Sequence, residues 1–186
     1  RLTEFFYAGN RTDVVRVRQK GPTGRYYTTA RFTYNDQHRP LTYTDAAGQI
    51  STYSYNAAGQ LLTEQHPLGQ VTSYEYDSLG QLTRIVNANG KTSLSLTYDS
   101  YGRVASRTDA GGHQVTFAYD DMDRLTAVTY PDATTEQYTW DKLDLSVYKD
   151  RLGRTTSYVH DAVRNLVSVT DPMLRTTSFT YYRDGA

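Results

Sequence analysis

"YDSLGQLTRIVNANGKTSLSLTYDSYGR", residues 76–103, says nearly the same thing twice: one Tyr-Asp-x-x-Gly opens it at Tyr76 and a second starts at Tyr98. An internal period of this kind decides the architecture before any single residue does. The leading aromatic position recurs at Tyr34, Tyr55, Tyr76, Tyr98, Tyr119, Trp140, His160 and Tyr181, at intervals of 21, 21, 22, 21, 21, 20 and 21 residues. Asn or Asp follows at Asn35, Asn56, Asp77, Asp99, Asp120, Asp141 and Asp161. Gly stands three residues further on at Gly59, Gly80 and Gly102, and again at Gly185 after Tyr181, while Asp123, Asp144 and Arg164 hold that place in three consecutive units. Seven units fill residues 34–180. Residues 1–33 read as degenerate N-terminal repeats and residues 181–186 as the start of another, so the chain reads as a fragment of a longer array.

Each unit carries a second turn ten or eleven residues after its aromatic, as in Asp45–Gly48 ("DAAG"), Asp109–Gly112 ("DAGG") and Asp150–Gly153 ("DRLG"). In both turns an Asp or Asn side chain can bond the backbone two residues on, and Gly supplies the positive φ that closes the loop. The structural turn residues are therefore Asp45, Gly48, Asp77, Gly80, Asp99, Gly102, Asp109, Gly112, Asp150 and Gly153. Pro67, Pro131 and Pro172 share one register, one residue into the second turn, where a fixed φ suits position i+1. The segments between turns are too short for helices and rich in Thr, Val and Tyr, as strands are. Where Arg164 replaces Gly, the expectation is a looser turn or a left-handed Asn165.

The returning strand alternates. Tyr53 and Tyr55, Tyr74 and Tyr76, Phe117 and Tyr119, Tyr138 and Trp140, Tyr158 and His160, and Phe179 and Tyr181 fall at alternate positions with small polar residues between them. A period of two puts these rings on one face as an aromatic ladder. On the outgoing strand Leu61, Leu82, Val104, Leu125 and Leu166 sit two past the Gly position, whereas Ile85, Val128 and Val169 sit five past it. The change of parity predicts a β-bulge or strong twist between them. One hairpin is only marginally stable, so neighbours must lie side by side, and the product is an all-β, repetitive antiparallel hairpin ribbon that twist forces to coil.

Composition agrees. Formal net charge is +0 with 22% charged residues, which gives no sign of a nucleic-acid-binding or acidic tail. With no Cys there is neither a disulfide framework nor a thiolate metal site. No apolar run approaches a membrane span.

The units closely resemble the Rhs, or YD, repeat, and "YDSYGRVASRTDAGGHQVTFAY" (residues 98–119) carries the likeness best. The resemblance covers residues 34–185 and extends more weakly toward the start. It implies a coiled β-sheet segment of a large hollow shell. In bacterial members, polymorphic toxins and insecticidal toxin complexes among them, such a shell encloses a C-terminal toxin; teneurins use a similar one as an extracellular scaffold. The implied partners are the remainder of the shell, an enclosed toxin domain and secretion machinery, and the implied location is secreted or delivered from a bacterial cell, with the cell surface or extracellular space as the alternative.

Chemistry-bearing constellations are scarce. His38, His66, His113 and His160 lie at unrelated repeat positions without ligand spacing, and the Asp row reads as turn caps rather than calcium ligands. The "TDPM" at residues 170–173 sits at the ordinary second-turn register. "NRT" at residues 10–12 fits a glycosylation acceptor. Arg84, Arg103, Arg107 and Arg124 read as solvated. No catalytic residue, metal site, cofactor, nucleic-acid contact or membrane span is expected. Two functional classes follow: a shell segment that encapsulates and helps deliver a toxin, or an extracellular recognition module binding glycan or protein through exposed aromatic strands. Open strand edges are expected at the strand leading into Tyr34 and at the one ending at Tyr181, and with them edge-to-edge self-association.

Overall fold

The computed structural model describes residues 2–181, so Gly185 and the close of the last unit lie outside the described residues. The chain divides into two compact units, Arg1–Ser95 and Leu96–Ala186. The first holds β1 (Thr3–Tyr7), β2 (Val14–Lys20), β3 (Tyr26–Tyr34), β4 (Pro40–Asp45), β5 (Ile50–Tyr55), β6 (Leu61–Gln65), β7 (Val71–Tyr76) and β8 (Leu82–Val86). Next comes β9 (Thr92–Tyr98), whose first half pairs with β8 and whose second half belongs to the second unit. That unit continues with β10 (Val104–Asp109), β11 (Gln114–Tyr119), β12 (Leu125–Thr129), β13 (Thr135–Asp141), β14 (Asp144–Lys149), β15 (Thr155–His160), β16 (Leu166–Thr170) and β17 (Thr176–Ser178). Within each unit every strand runs antiparallel to the next in the chain, and no helix occurs among the described residues.

The turns explain the strand lengths. In Asp77–Gln81 the Asp77 N–H donates to the Gln81 carbonyl (2.9 Å) and the Gly80 N–H to the Asp77 carbonyl (3.0 Å). This is a type I turn closed by one left-handed residue, the three-residue hairpin loop with a glycine bulge. The same pair of bonds recurs at both turns of nearly every unit.

A second irregularity answers the parity problem of the outgoing strand. Tyr76 faces Leu82 and Glu75 faces Arg84, so Thr83 is an extra residue. Equivalent skips fall at Leu62, Thr126, Ser146 and Val167. Each bulge returns the next apolar residue to the aromatic face, so Leu82 opposes Tyr76 and Ile85 opposes Tyr74. The two odd intervals have local causes as well. The interval of 22 carries an extra residue at Ser93, passed over between the pairs Ile85–Leu94 and Val86–Thr92. The interval of 20 arises where Asp141 pairs directly with Asp144 around a two-residue turn.

Little of the chain is deeply covered. Val128, at 6% exposure, is the one buried apolar residue described, and no large side chain is fully buried. Stability therefore rests on backbone ladders and half-buried rings between neighbouring strands, the nearest-neighbour regime of repeat proteins.

Three expectations need correcting. The strand leading into Tyr34 is not an edge, because β3 is paired by β2 on one side and β4 on the other. Asp144 does not take the glycine place of its turn: it starts β14, and Lys142 carries the positive φ of 53°. Arg164 neither loosens its turn nor hands the left-handed place to Asn165. It adopts φ 71° itself and keeps both turn bonds, Arg164 N–H to Asp161 O at 3.0 Å and Asp161 N–H to Asn165 O at 2.9 Å. The backbone bonds of the loop outweigh the side-chain penalty of roughly 1–2 kcal/mol.

Candidate functional site: the turn ladder and the aromatic face

Every candidate turn Asp is held in the same way. Asp77 Oδ1 accepts from the Leu79 and Gln81 N–H groups (2.9 and 2.8 Å), Asp99 Oδ1 from Tyr101 and Arg103 (2.9 and 3.0 Å), and Asp45 Oδ1 from Ala47 and Gln49 (2.8 and 2.9 Å). Asp109 and Asp150 repeat the pattern. Each carboxylate thus satisfies two loop donors that no strand can reach. Gly48, Gly80, Gly102 and Gly112 share φ 81° and Gly153 has φ 78°. At two further caps the Arg124 guanidinium holds the Asp120 carboxyl below its usual range, as Arg175 does that of Asp171.

Where glycine is missing from the first turn, its replacement reaches toward a neighbouring turn. Arg164 meets Asp144 at 2.8 Å, His38 meets Asp13 at 2.9 Å, and Asp123 receives Arg103 at 2.8 Å. Asp13 is nearly buried, and the His38 hydrogen bond leads the causes that lower its pKa. None of these ties was legible from the repeat pattern, in which His38 attracted no attention as a glycine substitute.

The leading aromatics have a polar task as well. Tyr55 donates its hydroxyl to the Pro40 carbonyl (2.8 Å), Tyr76 to Leu61 (2.9 Å), Tyr119 to Val104 (3.0 Å) and Tyr181 to Leu166 (2.8 Å). Trp140 makes the same bond with its indole Nε1 to Leu125, at 2.9 Å. The acceptor lies fifteen residues back each time, across a hairpin. The carbonyl belongs to the residue beside the bulge, whose partner is displaced there, which gives a chemical reason for Tyr or Trp over Phe. Tyr53, Tyr74, Phe117, Tyr138 and Tyr158 occupy the inner half-buried place, whereas Phe179 and Tyr181 are exposed. Tyr138 packs on Tyr148 with ring centres 5.3 Å apart and donates to Glu136 at 3.0 Å; burial and that bond push its phenol up to about 12.

Two arginines read as solvated are structural. The side chain of Arg103 is only 19% exposed: it pairs with Asp99, donates to the Asp120 carbonyl of the next first turn (2.9 Å), and stacks over Tyr119 at 4.8 Å. Arg124 pairs with Asp120, reaches the Lys142 carbonyl and stacks over Trp140 at 5.3 Å. Gln60, donating to the Gly80 carbonyl at 2.6 Å, does the same job without charge. The signal available in the sequence was the position itself, one past the glycine place. Arg84, by contrast, is a half-exposed partner of Glu75, and Arg107 is exposed.

Open crevices recur between successive first turns. One of about 570 Å³ lies between residues 141–144 and 161–164, and one of about 440 Å³ between residues 8–13 and 35–38. Their linings share a position in the repeat but no common set of reactive groups, and no cluster of metal-ligating side chains occurs among the described residues. Asn10, the glycosylation candidate, is committed at both ends. Its Oδ1 accepts from Thr12 and Asp13 N–H groups, and its Nδ2 donates to Asp13 at 2.6 Å.

The family description teneurin YD-shell matches residues 23–141. A curated relative, double-stranded DNA deaminase toxin A of Burkholderia cenocepacia (strain H111), is 30% identical over 100 residues, which is 53% of this chain and 7% of that protein. The fold is shared with the TcdB2-TccC3 crystal structure (TM-score 0.61, 15% identity, 85% of this chain and 11% of that one). It is shared too with the TccC3-D651A holotoxin pore of Photorhabdus luminescens (TM-score 0.54, 15% identity, 85% and 11%). The chain thus spans a small part of the proteins it is similar to. With two turns per hairpin of about 21 residues, most of them capped by Asp or Asn, and a tyrosine or tryptophan bridging most hairpins to the last, it belongs to the teneurin YD-shell, or Rhs/YD-repeat, family.

Proposed function

We propose that this chain is a wall segment of a YD shell that encloses a toxin and takes part in its delivery from a bacterial cell, without catalytic activity of its own. The observation that carries the reading is the match of the YD-shell family over residues 23–141, joined to a fold shared with toxin-complex chains and to a relative whose name is that of a toxin. What the wall does physically follows from its bonds. The turn caps close each loop, the ring hydroxyls and arginine spans tie one hairpin to the next, and none leaves a reactive group poised over a closed cavity. The partners of the segment are accordingly the rest of its shell, the enclosed toxin and the machinery that exports them. The aromatic ladder favours packing over glycan recognition, because most of its rings are half-buried and the hydroxyls of Tyr55, Tyr76 and Tyr119 are already bonded within the sheet.

The test uses the full-length protein that contains this segment. Limited proteolysis should leave its C-terminal portion protected while the shell is intact. Deleting residues 76–97, one whole repeat, should preserve that protection better than replacing the Asp77 and Asp99 turn caps together. A C-terminal portion equally sensitive to protease with and without the shell would refute enclosure.

A further inference from the structure

Net charge over the chain is zero, yet the charges are segregated. Residues 2–33 carry six cations (Arg11, Arg16, Arg18, Lys20, Arg25, Arg31) against two acids (Glu4, Asp13), net +4, whereas residues 34–181 carry twelve basic and seventeen acidic residues, net −5. The register gathers four of those six cations on one face of β1–β3. Arg16, Arg18 and Lys20 occupy alternate positions of β2, and Arg31 lies directly opposite Arg16 on β3. Like charges placed directly opposite on a ladder destabilise it.

That face holds one carboxylate, Glu4, which meets Arg18 at 3.1 Å. Asp13 is engaged elsewhere with His38 and Asn10. Phe6 and Tyr26 share the face. Arg16 and Arg18 stack on Phe6 at 4.2 and 4.7 Å, and Arg18 and Lys20 lie over Tyr26 at 5.2 and 5.8 Å. The Nε atoms of Arg16 and Arg18 are the two buried side-chain polar atoms without a hydrogen-bond partner among the described residues. The surface is thus short of anions, with four cations facing one carboxylate, while the two Nε atoms are buried beyond a ligand's reach and leave only the outer guanidinium nitrogens to meet one.

We propose that this face docks an extended acidic peptide whose alternate carboxylates meet Arg16, Arg18 and Lys20. Same-face residues of a strand repeat about every 6.8 Å, and an extended peptide repeats its own alternate side chains at that interval. Arginine held flat on a ring presents the planar fork that carboxylates accept in bidentate fashion. Single-stranded nucleic acid fits less well, because it needs free aromatic faces for base stacking and these rings are already covered by cations.

The test is fluorescence anisotropy of the whole chain at low ionic strength with a labelled dodecapeptide alternating Glu and Thr. A control peptide has the same composition with all Glu in one block. The alternating peptide should bind more tightly than the block. Arg16→Gln with Arg31→Gln should weaken it about tenfold, as expected for the loss of a charge-assisted contact of ~1.4 kcal/mol. Glu4→Gln, which removes the competing carboxylate, should tighten it, a change that a merely structural role for Glu4 would not produce. Circular dichroism checks that each variant keeps its strands. Equal binding of the two peptides, or indifference to the Arg16 and Arg31 changes, would overturn the proposal. So would tighter binding of heparin or oligo(dT) of equal charge, which would assign the face to a sulfate or phosphate polymer.

Discussion

The turns of the two units share one backbone and differ in how they fill it. In the first unit six of the eight left-handed turn residues are glycines, the exceptions being Arg11 and His38; in the second only Gly102, Gly112 and Gly153 are, against Asp123, Ala133, Lys142, Arg164 and Leu174. The exceptions in the second unit are not random. Asp123 and Arg164 use their side chains for ion pairs with neighbouring turns, and Ala133 and Leu174 follow a proline at position i+1, Pro131 and Pro172. A proline there stiffens the unfolded chain by roughly 0.4–1 kcal/mol, comparable to the strain it accompanies. The comparison teaches that the two backbone bonds define this loop, since they close it even where His66 or Tyr130 stands in place of the first Asp. Glycine is one of three ways to complete it.

The largest expected effect tests whether the turns or the rings dominate. Trp140→Ala removes a half-buried ring, its bond to the Leu125 carbonyl and the Arg124 stack, and should cost about 2–3 kcal/mol in urea unfolding. A loss under half of that would place the stability in the turns. Gly80→Val comes next, at ~1–2 kcal/mol, because a branched side chain is forced to φ 81°. Asp123→Gly should be near neutral by the same assay: relief of strain offsets the loss of an exposed ion pair with Arg103. If Asp123→Gly stabilised as much as Gly80→Val destabilises, the ion pair would be worthless and the comparison would collapse.

Leu174→Gly should raise stability by ~0.5–1 kcal/mol, since Leu174 is 85% exposed at φ 63° and gives up little packing. The smallest effect is one of pH. Tyr138 in the folded chain releases its proton near 12, whereas a free tyrosine does so near 10. The folded state therefore holds this proton more firmly, and the resulting stability is intact below about pH 10 and lost as pH rises through about 12. Phenolate absorbance should show a late-titrating tyrosine, and Glu136→Gln should bring that group down.

Much of the fold was legible because the repeat writes its turns in side chains. Asp77, Gly80, Asp99 and Gly102 announce hairpins, and the parity of Leu82 and Ile85 announces the bulge. What stayed hidden depends on contacts between units. No pattern within one unit shows that Arg103 will span to Asp120, that Tyr76 will reach the Leu61 carbonyl, or that Arg16 and Arg31 will stand opposite each other. A net charge of zero concealed the basic face outright, because summing the sequence discards position. The left-handed Arg164 was misjudged because the penalty was weighed alone, without the backbone bonds and the Asp144 pair that oppose it.

The extra residue at Ser93 and the missing one at the Asp141–Asp144 turn are departures from the repeat length that the fold accommodates. Each is absorbed within a single hairpin, and the aromatic phase is restored by the next leading residue, Tyr98 in one case and His160 in the other. An error of length in such a wall is therefore confined to the brick in which it occurs. A gene encoding it can gain or lose single codons, or whole repeats, without putting the distant parts of the wall out of register.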